Sequence, residues 1–154
     1  MSGVTRQFRV IGDHDDDLSL RVAFASDNGT EVNQHFGSTR ALVIYRVNPE
    51  RTAIESILEF EDIGKDEGET KLAAKLNALE GCIAVYCRAC GASAVRQLID
   101  MRVQPLKVVY DSSIKELLAG FQQELREGPS SWLARAIAQN GEGHTELFDS
   151  LDRP

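Results

Sequence analysis

Two cysteines separated by two residues, Cys87 and Cys90, are the side chains of this sequence with the clearest chemical potential. They follow the apolar stretch CIAVY at 82–86 and lie just before a run of small residues. A helix N-terminus lowers the pKa of a thiol, so the pair could be a redox dithiol. Thiolates also bind soft metals and iron–sulfur groups. A third interpretation is structural, because free cysteines are commonly buried.

A closed zinc site is not expected, because such a site usually takes four ligands and the sequence lacks a second ligand pair. Cys82, at the start of the apolar stretch, is interpreted as a buried structural residue.

Of the three histidines, His35, within NQHFGSTR at 33–40, is the first candidate for a ligand-binding role. Neutral imidazole is a common metal ligand. A loop histidine that makes an ordinary hydrogen bond is the plainer interpretation, and both stay open. His14 and His144 fall in predicted tails and are assigned no role.

A local positive charge is predicted near these residues. Arg88 lies between the two cysteines, and Arg40 follows the His35 loop. A helix that begins near Cys90 contributes free N–H groups and the positive end of its dipole. The small side chains of CGASA, at 90–94, let a ligand approach the backbone closely. Such a pocket suits an anionic ligand with soft-metal character, unless the two arginines are simply solvated surface residues.

The composition is that of an acidic chain of single-domain size. It has 154 residues, with 24 Asp and Glu against 17 Lys and Arg. The net charge of −7 argues against a broad nucleic-acid-binding surface. No apolar run is long enough to span a membrane, and the N-terminus lacks a signal-peptide core. We therefore expect a cytoplasmic protein whose cysteines are thiols.

The familiar catalytic patterns are missing from the sequence. It has no dinucleotide-binding glycine motif, no P-loop lysine motif and no nucleophile-elbow serine. Asp27 follows the first predicted strand, but we find no convincing partner carboxylates for a metal-dependent nuclease. The sequence predicts a binding protein rather than an enzyme.

The elements that must position these residues follow a simple order. Strands are predicted at 20–26, 40–47, 51–60, 82–86 and 103–110, and helices at 69–80, 90–101, 113–127 and 130–137. The order βββαβαβα predicts an α/β fold with a mixed five-stranded sheet covered by helices. Residues 1–19 are predicted to be a polar N-terminal arm, 20–138 the α/β domain, and 139–154 a C-terminal tail.

Several local signals fix these elements. In the first strand, Leu20, Val22 and Phe24 alternate with Ala23 and Ala25, which predicts a central strand closely packed on its small face. The first helix carries an apolar stripe and should end at a glycine. The stripe and this glycine are Leu72, Ala73, Leu76, Leu79 and Gly81. Ser113 and Glu116 form a capping box at the start of the third helix. Pro105 favours the edge of the sheet or the start of its strand.

The sheet topology predicts where the chemistry-bearing residues meet. The first, fourth and fifth strands should be parallel, and ligands of such sheets bind beyond the carboxyl ends of the parallel strands. The His35 loop follows the first strand, and YCRACG, at 86–91, follows the fourth. We therefore expect His35 and the cysteine pair to lie at one place.

Four stretches of the sequence resemble a known family. They are VAFASDNGTEVNQHFGSTRALVIYRVNPER, KLAAKLNALEGCIAVYCRACGASAVRQLI, VQPLKV and FQQELREGPSSWLARAI. These are similar to the nitrogenase iron–molybdenum cofactor-binding family, which includes NafY and the C-terminal part of NifB, over about residues 20–138. The HFG loop is shared across that family, and YCRACGASAVRQL is the more specific stretch.

The resemblance implies a ribonuclease H-like, three-layer α/β/α fold. It also implies a non-catalytic carrier of an iron–sulfur precursor cluster (NifB-co type) or of FeMo-co during assembly of the iron–molybdenum cofactor. The implied partners are the NifB enzyme and the NifEN scaffold, with no nucleic acid and no membrane.

The family's HFG histidine corresponds to His35, which is the first candidate cluster ligand. Extending the site to Cys87 and Cys90 rests on their position and on thiolate chemistry. The candidate cofactor-binding residues are His35, Cys87, Cys90, Arg88, Arg40, Asn33, Gly37, Ser38 and Gly91, of which the histidine and the two cysteines would bind metal through the cluster. A CxxC thiol oxidoreductase and a cluster storage or regulatory protein are the alternatives that stay open, although three consecutive strands at the start argue against a thioredoxin-like order.

Overall fold

The computed structural model describes residues 4–9, 19–60 and 68–144. The strands are β1 (Val4–Arg9), β2 (Leu20–Ala25), β3 (Glu31–Val32), β4 (Ala41–Val47), β5 (Thr52–Phe60), β6 (Ala84–Cys87), β7 (Gln104–Lys107) and β8 (Ser112–Ser113). The helices are α1 (Gly68–Ala78), α2 (Ala92–Asp100), α3 (Ile114–Glu127) and α4 (Ser131–His144), with a short 3₁₀ turn at Phe36–Ser38. All five predicted strands and all four predicted helices are present.

A mixed sheet forms the centre of the fold, in the order β1-β5-β4-β2-β6-β7. β2 pairs parallel with β6, and β6 pairs parallel with β7. β4 runs antiparallel to both β2 and β5. The predicted parallel set is therefore confirmed, and β7, which contains Pro105, lies at the edge of the sheet as predicted.

The sheet has one strand more than the sequence predicted. β1 lies in the segment interpreted as a polar arm, and it pairs antiparallel with β5 from Val4 opposite Phe60 to Arg9 opposite Ser56. An edge strand tolerates charged residues and irregular pairing, so a polar composition did not reveal it. The rest of the predicted arm, residues 10–18 with the DHDDD run, lies outside the described residues.

Helices cover both faces of the sheet. On one face, Ala23 and Ala25 of β2 lie in a buried cluster with Leu76 and Leu79, beside α1, and Leu98 of α2. On the other face, the large residues of β2 pack against α3 and α4 in a second cluster; these are Leu20, Val22 and Phe24 against Ile114, Leu118, Phe121, Leu133 and Ala136. The alternation along β2 thus divides the core into two halves and gives three layers, and β2 is a central strand packed on its small face, as predicted.

The predicted signals at the helix ends are confirmed, with one difference in length. The Ser113 side chain accepts a hydrogen bond from the Glu116 N–H at the start of α3. Gly81, in the turn after α1, has a φ of 91°. α4 continues to His144, beyond the predicted domain boundary at 138, because the apolar stripe there fades before the helical backbone ends. Residues 145–154 of the predicted tail lie outside the described residues. No helix among the described residues is long and apolar enough to cross a membrane.

Candidate functional site

The His35 loop and the cysteine loop are joined at the carboxyl end of the parallel strands. The Phe36 N–H donates to the Ala89 carbonyl at 2.8 Å, and the Arg88 N–H donates to the Gln34 carbonyl at 2.9 Å. His35 and Ala89 form an isolated parallel bridge. The chain therefore brings these two loops together where the sheet topology predicted.

His35 and its neighbour Phe36 face opposite environments. The Phe36 side chain is fully buried in the core cluster on the α1 and α2 side of the sheet, whereas His35 is exposed. The buried ring fixes the loop to the core, so the histidine is presented to solvent without carrying the packing.

The first part of the loop is held by its own polar side chains. Ser26 Oγ accepts from the Gly29 N–H at 2.9 Å, and Asn28 Oδ1 accepts from the Thr30 and Glu31 N–H groups at 2.9 and 3.0 Å. Asn33, a predicted ligand-binding residue, donates to Asp27 Oδ1 at 2.8 Å and accepts from the Asp27 N–H at 3.1 Å. The position of Asn33 therefore matches a role in shaping the loop.

The two thiols of the CxxC segment share a hydrogen bond. Cys87 is buried at the end of β6, and Cys90 is half-buried. The hydrogen bond from Cys87 lowers the pKa of the Cys90 thiol. The same hydrogen bond, together with burial, raises the pKa of Cys87. Cys90 is thus the thiol better suited to act as a nucleophile or a metal ligand.

Cys82 lies apart from this pair and is buried. Desolvation raises the pKa of its thiol to about 12. The predicted burial of Cys82 is confirmed.

The two predicted arginines differ in their contacts. Arg88 makes an ion pair with Asp111 and donates through Nη2 to the Val109 carbonyl at 3.2 Å. Its Nε is buried and has no hydrogen-bond partner among the described residues. Arg88 therefore connects the cysteine loop to the segment after β7, while Arg40 is exposed at the far end of the His35 loop.

The small residues leave the surface of the site open. Gly37, Ser38 and Gly91 are exposed, and a Cβ atom built on either glycine would meet nothing within 4 Å. Gly91 precedes α2 without a side-chain cap. The first N–H groups of α2, which follow directly after Cys90 and Gly91, therefore have no side chain bonded at the cap.

Sequence reasoning missed one residue at this site, Lys75 of α1. Its side chain is buried, and its Nζ donates to the Gly37 carbonyl at 2.6 Å. The available signal was its spacing, because Lys75 lies three residues after Leu72 and four before Leu79, on the apolar stripe.

The donors do not converge on one point. No group of three or more His, Cys, Asp or Glu residues that could hold a metal ion occurs in the described parts of the chain. Two thiols and an imidazole lie instead on adjoining loops. This donor set suits a larger polynuclear group that each loop touches separately, rather than a single enclosed ion.

The fold defines a domain of the α/β class, and its candidate donors lie at the carboxyl ends of the parallel strands, where ligands of such sheets commonly bind. The sequence profile of the dinitrogenase iron-molybdenum cofactor family matches residues 19–124. The chain belongs to this family, which confirms the family resemblance seen in the sequence.

Individual relatives agree with this assignment. The chain is 51% identical to Protein NifX of Azotobacter vinelandii over 98% of this chain and 96% of that protein. It is 36% identical to Protein NifX of Klebsiella pneumoniae over 79% of this chain and 76% of that protein. The crystal structure of PH0822 superposes with a TM-score of 0.54 at 20% identity, covering 68% of this chain and 89% of that one, and it shows a shared fold.

Proposed function

We propose that this protein binds an iron–sulfur precursor cluster of the NifB-co type, or FeMo-co itself, and transfers it during assembly of the nitrogenase iron–molybdenum cofactor. One observation carries the proposal: the exposed His35 and the Cys87–Cys90 pair lie on two loops joined by backbone hydrogen bonds. Membership of the dinitrogenase iron-molybdenum cofactor family supports the choice of cargo.

Partial ligation suits a carrier. His35 would bind one metal atom of the cargo through its imidazole, and the Cys90 thiolate would bind another. Cys87 would stabilise the thiolate form of Cys90 by donating a hydrogen bond to it. Few protein ligands allow release to a partner, whereas a fully chelating site would hold the cargo.

Backbone and charged groups around the donor side chains would make the other contacts with the cluster. The exposed backbone at Gly37 and Gly91 and the start of α2 would offer N–H groups to the anionic sulfur ligands of the cluster, and the exposed Ser38 would offer its hydroxyl. Arg40 and Arg88 place positive charge on either side, and Asn33 holds the loop. These are the candidate binding residues, and none is assigned a catalytic role.

The proposed partners are the NifB enzyme, which would supply the cluster, and the NifEN scaffold, which would receive it, in the cytoplasm.

We also propose that the fold is of the type named ribonuclease H-like. Support for that name comes from the order β5-β4-β2-β6-β7 with a parallel β2, β6 and β7.

Anaerobic titration with the isolated precursor cluster tests the carrier function. Iron retained after gel filtration would be measured for the native protein, His35→Ala, and a Cys87→Ala/Cys90→Ala double variant. We expect the native protein to retain iron, and each variant to retain much less. Equal retention by all three proteins would show that the cluster binds elsewhere, and no retention by any of them would contradict the carrier function.

The thiol pair favours a second candidate function, a thiol oxidoreductase. A thiol of lowered pKa beside a hydrogen-bonded partner is the arrangement that attacks disulfides. Reduction of a small disulfide such as 5,5′-dithiobis(2-nitrobenzoate) with turnover under a recycling reductant would support this function. A single stoichiometric reaction without turnover would reject it.

A further inference from the structure

Lys75 is the only charged side chain that is buried among the residues whose side chains the structure describes, 19–60 and 72–139. Its exposed fraction is 2%. Burial of an ammonium group is costly unless the group is well bonded, so its place on the inner face of α1 needs a reason.

One contact that offsets this cost joins Lys75 to the His35 loop. Lys75 Nζ donates a hydrogen bond of 2.6 Å to the carbonyl of Gly37, in the 3₁₀ turn directly after His35. Nζ also lies 5.7 Å from the centroid of the Phe60 ring. A hydrogen bond from a charged donor is about twice as strong as a neutral one.

The backbone hydrogen bonds within the turn are long. The Ser38 N–H donates to the His35 carbonyl at 3.3 Å, and the Thr39 N–H donates to the Phe36 carbonyl at 3.5 Å. His35, at the N-cap of the turn, makes no side-chain cap bond. The bond from Lys75 is therefore the shortest that holds this turn.

We propose that Lys75 is the positioning residue of the candidate site: its ammonium fixes the Gly37 peptide and so sets the direction in which His35 is presented to cargo. The effect of that direction on cargo binding rests on the proposed function. The claim that a buried donor from α1 fixes the loop is independent of the proposed function.

Hydrogen exchange in the cargo-free protein tests the fixing of the loop. Lys75→Met keeps an apolar stem and removes the donor, so the amides of Ser38 and Thr39 should exchange about tenfold faster or more. Lys75→Arg keeps a charged N–H donor with enough reach for the Gly37 carbonyl and should restore most of the protection. Amides of β2 and β4 should exchange at native rates in both variants, which shows that the fold is intact.

Two results would overturn the proposal. One is that the Ser38 and Thr39 amides of Lys75→Met exchange at the same rate as in the native protein. The other is equally fast exchange in Lys75→Met and Lys75→Arg, because the loop would then respond to packing and not to the hydrogen bond.

Cluster titration provides the second readout. Lys75→Met should retain much less iron than the native protein, and Lys115→Met, which removes the same charge from an exposed position on α3, should retain as much. Native retention by Lys75→Met, despite a loosened loop, would overturn the link to cargo. If the native protein retains no iron while the exchange pattern is as expected, the proposed function fails and the role of Lys75 in the loop stands.

Discussion

His35 and Phe36 are consecutive residues with separate tasks. Phe36 is buried beside Leu42 and Leu76, and His35 lies on the surface at the bridge to Ala89. Because exposure and anchoring belong to different side chains, binding and stability should respond to different substitutions.

His35→Ala should leave the free energy of unfolding within about 0.5 kcal/mol of the native value, because an exposed loop side chain contributes little. Phe36→Ala should cost about 3–5 kcal/mol, since it empties a buried site. Urea denaturation of both variants measures the difference. A large loss of stability in His35→Ala would show that the histidine is part of the packing.

The hydrogen bond between the two thiols makes a prediction about reactivity. Cys87 lowers the pKa of Cys90, so Cys90 has more thiolate at pH 7 than an ordinary cysteine. Cys87→Ala removes the donor, raises the pKa of Cys90, and should slow its alkylation by iodoacetamide at pH 7.

Alkylation rates followed by peptide mass spectrometry from pH 5 to pH 10 would locate the change. The native and variant rates should converge at high pH, where Cys90 is a thiolate in both. Cys82, with a pKa of about 12, provides the unreactive internal control. Identical pH profiles for Cys90 in the two proteins would contradict the assignment.

The turn between α1 and β6 shows how two elements constrain a single position. Gly81 has a φ of 91°, and a Cβ atom there would lie 2.5 Å from Nη1 of Arg21. The same Nη1 donates to the Glu80 carbonyl at 2.9 Å, so the arginine of β2 closes over the turn that leads into β6. Glycine satisfies both the backbone conformation and the close approach.

Gly81→Ala should therefore destabilise the fold by about 1–3 kcal/mol, from the left-handed backbone and from displacement of the Arg21 side chain. Gly29→Ala is the matched control, because Gly29 has a φ of 80° with open space around its Cβ direction. Gly29→Ala should destabilise the fold by about 1 kcal/mol, which is the cost of the left-handed backbone conformation alone. Equal losses in urea melts would show that the contact with Arg21 carries no cost.

At the scale of the whole molecule, the free energy of unfolding at low pH should depend on Glu55, whose carboxylate joins three strands. Glu55 of β5 accepts hydrogen bonds from Arg21 of β2 and Arg46 of β4, each at 3.0 Å, and its side chain is 12% exposed. Burial alone would raise the pKa of Glu55, but the hydrogen bonds and charges of Arg46 and Arg21 outweigh it and hold the pKa below its usual value.

A lowered pKa in the folded state gives stability that is present above the ordinary glutamate range and is lost as the pH falls through the folded value. Glu55→Gln should therefore cost about 1–2 kcal/mol at pH 7, and the difference from the native protein should shrink below about pH 4. Denaturation at a series of pH values measures it. A difference that does not change with pH would contradict the ion-pair explanation.

Features that depend on pattern and topology could be predicted from the sequence. The alternation along β2 predicted a central strand, and the strand order predicted that His35 would lie beside the cysteine pair. Features that depend on a particular distant partner could not. The ion pair of Arg88 requires Asp111, and the burial of Lys75 requires the Gly37 carbonyl, and neither partner lies near its residue in the sequence. β1 was missed because pairing with β5, rather than its own polar composition, makes it a strand.

The backbone bridge between His35 and Ala89 also bears on the order of folding. β4, β5 and α1 all lie between these two residues in the chain, so the bridge closes only when those elements have packed. A chain that is still folding, or has partly unfolded, carries its imidazole and its thiols on separate segments. The candidate donors His35, Cys87 and Cys90 are thus brought together only in the finished fold, so a partly unfolded copy of the chain would present them singly and not as a set.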